Sequence, residues 1–170
     1  QDDLSLFCRA VQVSPFSARS HYGLGRALQQ RGELAEALAS YQRALTIYPR
    51  YTEAHFNQGA ALLSLGKPGE ALDAYHRALE IRPSYTKALY AVAVLVQHLE
   101  GEAAAVPAFQ ALLAKHADYV VGYFQYGQLL AQLDRKEEAK KVLAAGIAVA
   151  QKVGNTHARD EMEAALRGLY

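Results

Sequence analysis

The sequence predicts an all-α fold, a solenoid of antiparallel helix pairs closed by a capping helix. Two observations carry that expectation. Small and aromatic residues recur every 34 residues in several independent columns, and glycine and proline stand where the helices of the first two units must end. The plainest column is Ala37, Ala71, Ala105 and Ala139, followed four places on by Tyr41, Tyr75, Phe109 and Leu143, and three places later by Ala44, Ala78, Leu112 and Gly146. A second column runs Gly25, Gly59, Ala93 and Gly127, with Leu28, Leu62, Val96 and Leu130 three places after it. Tyr51, Tyr85 and Tyr119 keep the same step.

Residues 1–17 read as half a unit. Phe7, Ala10 and Pro15 stand one period before Tyr41, Ala44 and Pro49, so residues 3 to 13 are expected to form the second helix of a unit whose first helix is missing. The chain opens on Gln1 rather than methionine, and its start reads as trimmed. Residues 18–51 form the first full unit. A helix over Ala18 to Gln30 ends at Gly32, which accepts the left-handed backbone of a helix terminus. A second helix over Leu34 to Ile47 stops before Pro49, which has no amide to donate. Gly25 and Ala37 let the two helices approach closely, with Tyr41 and Leu28 filling the space beside the contact.

Residues 52–85 repeat the plan with Gly66 and Pro83. The unit at 86–119 departs from it: the turn glycine moves to Gly101, and Pro107 falls near the start of the second helix, where amides lack partners. In 120–153 the turn glycine becomes Asp134. Over 154–170, Ala158, Met162, Ala165, Leu166 and Leu169 share one helical face, the pattern of an amphipathic cap over the last unit. One such hairpin cannot hide its apolar face alone, so the units are expected to stack as a single domain over 1–170.

From about Ala18 to Val153 this pattern resembles the tetratricopeptide repeat (TPR). The tryptophan usual early in the first helix of that family is replaced by His21, His55, Leu89 and Tyr123. The resemblance implies a right-handed superhelix whose first helices line a concave groove, and a protein or peptide as ligand. Tyr22, Arg26 and Gln29 share one face of the first such helix. Equivalent places hold Phe56, Ala60 and Leu63, then Tyr90, Val94 and Gln97, then Phe124, Gln128 and Ala131. The column Tyr22, Phe56, Tyr90 and Phe124 would form an aromatic ladder, offering contact area at low entropic cost. With the polar groups beside it, the expected peptide-binding set is Tyr22, Arg26, Gln29, Phe56, Asn57, Lys87, Tyr90, Phe124, Gln125 and Gln128.

Two family ligand sites are incomplete. Asn57 and Lys87 match places of the clamp that holds a peptide's terminal carboxylate in some members, but Tyr22, Arg26 and Ala91 occupy its other places. The asparagine ladder of some glycosyltransferase members is reduced to Gly23, Asn57, Ala91 and Gln125.

Composition narrows the function further. Lys and Arg number 18 against 17 Asp and Glu, which gives no basic footprint for nucleic acid. A single cysteine, Cys8, cannot build a disulfide or a cysteine metal site. The six histidines include no pair at the spacing that places two metal ligands on one helix face. No phosphate-cradling glycine loop or catalytic constellation is present, and no apolar run is long enough to cross a bilayer. The expectation is a non-enzymatic interaction module or adaptor, cytoplasmic, with the periplasm or a larger complex as the alternatives, and with no cofactor, metal or membrane insertion. Two other readings accompany it. One is a scaffold that self-associates through Leu4, Phe7 and Val11 of the half unit; the other is the regulatory array of a larger enzyme.

Overall fold

A computed structural model describes residues 3–170, and within them every regular element is a helix. The helices are α1 (Asp3–Val13), α2 (Ala18–Gln30), α3 (Leu34–Ile47), α4 (Thr52–Ser64), α5 (Pro68–Ile81), α6 (Thr86–Glu100), α7 (Glu102–Lys115), α8 (Val120–Gln132), α9 (Lys136–Lys152) and α10 (Thr156–Arg167). The expected ends of α2 and α3 coincide with the observed ones. The chain divides into two compact units, one running to Ala88 and the other from Leu89.

In the first unit, α2 pairs with α3 and α4 with α5. The small columns mark the places where one helix receives a ring from the next. A Cβ built on Gly25 would stand 2.6 Å from the Tyr41 ring, and one on Gly59 would stand 2.6 Å from Tyr75. Tyr41 is wholly buried and Tyr75 nearly so. The Tyr41 hydroxyl, carried through the core to its edge, donates to Gln29 Oε1 at 2.7 Å.

The α2–α3 turn is a Schellman motif: Glu33 N–H donates to the Leu28 carbonyl at 3.0 Å and Gly32 N–H to Gln29 at 3.0 Å, with Gly32 at φ +80°. Gly66 closes α4 the same way. At the N-terminal end, Ser17 caps α2 by accepting from Ser20 N–H at 3.2 Å.

Leu4, Phe7 and Val11 of α1, the residues through which the scaffold reading has the chain self-associate, are half-buried. Phe7 rests where Gly23 leaves room, since a Cβ there would come within 2.1 Å of the ring, and Leu4 packs against the Leu28–Tyr41 cluster. The exposed apolar side chains of this segment are Leu6, Val13 and Phe16.

The second unit contains the irregular hairpin. Here α6 has 15 residues rather than the 13 of α2, α4 and α8, and Gly101 alone separates it from α7. Gly101 takes φ +96° and serves as the N-cap of α7 rather than as a Schellman glycine. Because α7 starts at Glu102, Pro107 lies beyond the first turn instead of within it. Its missing amide leaves the Ala103 carbonyl without a helical donor. Both residues are exposed, so water can reach that oxygen.

The α8–α9 turn returns to the Schellman pattern, Arg135 N–H donating to Leu130 at 2.9 Å, with Asp134 at φ +57° in the glycine's place. That conformation is unfavourable for a residue with a Cβ. The only ion-pair contact of Asp134 among the described residues is at 3.9 Å to Lys136 on the surface, which contributes little. Asp134→Gly is expected to raise stability by about 0.5–1 kcal/mol. A midpoint in urea that falls instead would show that the aspartate side chain supports the turn. As expected, α10 covers the end of the array, with Met162 fully buried against Val120, Leu143 and Ala150.

One contact recurs at the joints between repeats. His21 Nε2 lies 2.9 Å from the Pro15 carbonyl and His55 Nε2 lies 2.9 Å from that of Pro49. Tyr123 donates its hydroxyl to the Ala117 carbonyl at 3.1 Å. Three of the four residues in the tryptophan column therefore hold the preceding loop, Leu89 having no polar side-chain group to do so, and an acceptor carbonyl requires each imidazole to donate through Nε2. His21 and His55 are accounted for as joint residues.

Candidate functional site

Each first helix offers one face whose neighbours are rings and short polar groups. In the first unit that face begins with Arg19, Tyr22, Arg26 and Gln29 of α2, spaced three, four and three apart. The Tyr22 ring packs 4.8 Å from Tyr51 and 6.0 Å from Tyr41, measured between centroids. On α4, Phe56 lies 5.5 Å edge-on from Tyr85 and 5.4 Å from Tyr75. In the second unit, Tyr90 meets Tyr119 edge-on at 5.7 Å, and Phe124 packs against the cluster around Leu143 and Met162.

The ladder residues are thus half-buried rings leaning on their neighbours. The tyrosines at 51, 85 and 119, which sequence reasoning noticed but did not assign to the site, are the rings against which three of them lean. Their shared 34-residue step with the ladder was the available signal.

Of the other site residues, Asn57 joins Tyr22 directly, donating through Nδ2 to the Tyr22 hydroxyl at 3.0 Å. Gln29 accepts from Tyr41, which ties one of its two polar groups to the core. Arg26 and Lys87 are exposed in the first unit, and Gln128 is exposed in the second. Gln125 is half-buried on α8.

An open cleft of about 300 Å³ lies over Gly23, lined by Phe7, Arg19, Tyr22, Arg26 and Tyr51. Burial pushes the Tyr22 and Tyr51 hydroxyls above the usual phenol range. At Tyr22, Arg26 opposes this most; at Tyr51, Tyr22 and Glu53 reinforce it while Arg19 and Arg26 oppose it. Burial likewise raises Tyr85, with Glu53 adding to the effect and Arg82 opposing it.

Two side chains on the same faces are apolar and open: Leu63 of α4 is 43% exposed and Val94 of α6 is 39% exposed. Among the described residues, no helix is long and apolar enough to cross a membrane.

Tetratricopeptide repeat family models match residues 17–84 and 121–152, together more than half of the chain. The chain is a tetratricopeptide repeat protein. Its repeats make it a protein–protein interaction module.

Among solved structures, this TPR protein is similar to a crystal structure of MamA, with 17% identity and a TM-score of 0.81, covering 89% of each chain. It is also similar to YrrB, described as a TPR protein with an unusual peptide-binding site, at 21% identity and a TM-score of 0.72 over 96% of this chain and 91% of that one. A third neighbour is PilF of Pseudomonas aeruginosa, at 19% identity and a TM-score of 0.72, covering 96% of this chain and 81% of that one. At such identities the likeness is one of fold. No curated protein matches the TPR chain.

Proposed function

We propose that this chain is a non-enzymatic adaptor that binds a peptide or an extended segment of a partner protein on the first-helix faces of its repeats. The observation that carries the reading is that each unit bears an open apolar side chain on a first-helix face beside half-buried rings, Leu63 in the first and Val94 in the second. A monomer gains nothing by leaving such groups in water beside an aromatic surface, whereas a bound segment would cover them. Rings held by packing lose little freedom on binding, so the face is suited to recognition without rearrangement. That YrrB is described as having a peptide-binding site agrees with this choice of ligand.

Alanine at the four ladder positions would mix folding with binding, because those rings pack within the repeats. Leu63→Gln and Val94→Gln avoid this: both positions are open and neither change adds charge. Peptides are selected from a random library with the wild-type chain, and their affinities are then measured against each variant separately. Leu63→Gln or Val94→Gln is expected to weaken the selected peptides about tenfold, the equivalent of roughly 1.4 kcal/mol. Unchanged affinity in both variants would show that the ligand lies elsewhere.

A further inference from the structure

We infer that the cleft over Gly23 is a subsite for an acidic stretch of the bound peptide, in which carboxylate side chains meet Arg19 and Arg26 while an apolar neighbour lies on the rings of Phe7, Tyr22 and Tyr51. The inference rests on the first-helix faces being the peptide-binding surface, and it supplies the chemistry of the ligand there.

The site is built by the sequence of α2. Arg19, Tyr22, Gly23 and Arg26 fall at spacings that put them on one side of the helix, with the arginines about 10 Å apart along its axis. Gly23 contributes no side chain, so the floor between the arginines is backbone and the Phe7 ring, and the cleft stays open. Tyr51 forms another wall from the residue just before α4.

The polar groups around this cleft are mostly donors in need of an acceptor. Arg19 and Arg26 are exposed and have no ion-pair or hydrogen-bond partner among the described residues. Glu53, the acid whose charge acts on both Tyr22 and Tyr51, is already engaged with Arg82 at 2.9 Å. Arg82 in turn lies over the Tyr85 ring at 5.2 Å from its centroid. Asp3 lines an adjoining cleft with Arg26 but forms no ion pair with it. Tyr22 accepts from Asn57, which leaves its own hydroxyl proton to donate.

Two guanidiniums and a phenol proton therefore line this cleft with no anion bound to the guanidiniums among the described residues. Guanidinium forks match carboxylates in shape, and such charge-assisted bonds are stronger than neutral ones. The rings beside them favour an acid flanked by an apolar residue over a hydrated ion. This arrangement differs from a clamp on a peptide's terminal carboxylate, because it reads side-chain acids and uses the α1–α2 cleft.

The test is fluorescence anisotropy on the whole chain with a labelled peptide alternating Glu and Leu, the same peptide with Gln for Glu, and inorganic phosphate as competitor. The Glu peptide is expected to bind wild type at least tenfold more tightly than the Gln peptide. Arg19→Gln/Arg26→Gln is expected to erase that preference while leaving the helical circular dichroism unchanged, since both side chains are exposed. Equal binding of the two peptides by wild type, or a preference that survives the double substitution, overturns the inference. So does displacement by phosphate as effective as that by unlabelled Glu peptide, which would mark a plain anion site. Loss of the Glu peptide in Leu63→Gln with full binding by the double arginine variant overturns the acidic subsite alone and leaves the first-helix face standing. No binding of the Glu peptide to wild type also overturns the subsite, and the library selection then judges the face independently.

Discussion

Tyr41→Ala is expected to cost about 3–5 kcal/mol, a large part of the 5–15 kcal/mol that holds a typical domain together. The ring has no exposed surface, fills the space over Gly25, and touches Tyr22 at 6.0 Å between centroids. Its removal leaves a cavity between α2 and α3 that neighbouring side chains cannot fill without moving a helix. Tyr41→Phe separates the ring from its hydroxyl. That change keeps the packing and loses only the 2.7 Å bond to Gln29, which is half-buried and can turn to water, so about 1 kcal/mol is expected. Urea denaturation followed by circular dichroism measures both. Similar losses from the two variants would mean that the hydroxyl, not the ring, holds the hairpin.

Gly25→Ala and Gly59→Ala are expected to destabilise by about 1–3 kcal/mol, against the direction that helix propensity sets. Within a helix, alanine is ordinarily favoured over glycine by about 0.5–1 kcal/mol. At Gly25 and Gly59 the new methyl would stand 2.6 Å from a buried tyrosine ring, and 3.1 Å from the carbonyl of Ala37 or Ala71. Neither ring has anywhere to retreat. Gly69, on α5, has no atom within 4 Å of a built Cβ. Gly69→Ala should therefore follow propensity and stabilise by about 0.5 kcal/mol. Thermal unfolding of the three variants decides the matter: midpoints that rise for Gly25→Ala would show that the two helices separate easily.

Much of this architecture was legible because close packing leaves a periodic trace. Gly25 with Tyr41 and Gly59 with Tyr75 are contacts between columns, so the spacing by itself specifies the hairpin. The reading was weaker where a unit breaks its own rule. Gly101 shows that a turn glycine has moved, but not that α6 lengthens and the connection shrinks to one residue, which places Pro107 past the first turn of α7.

The site was legible as a face rather than as a set of partners. The sequence marks Tyr22, Phe56, Tyr90 and Phe124 as equivalent. Which ring each leans on depends on side-chain rotamers at half-exposed positions, where composition constrains little. Arg26 stands in the expected site, but that it and Arg19 have no ion-pair partner among the described residues was hidden for a related reason. Arg19, Arg26 and Arg82 look alike in the sequence, and only the fold brings Arg82, at the far end of the α4–α5 hairpin, back to Glu53 at its start.

The joints held by His21, His55 and Tyr123 also bear on how such an array can change over time. In each case the acceptor is a main-chain oxygen, contributed by Pro15, Pro49 or Ala117. Every residue carries that oxygen, so the demand for a particular side chain falls on one partner alone. An imidazole or a phenol on the later segment suffices, whatever stands on the earlier one. A coupling specified from one side needs no matched pair of mutations to survive duplication. Copies can then drift apart in their ligand-facing residues while the link between neighbours persists.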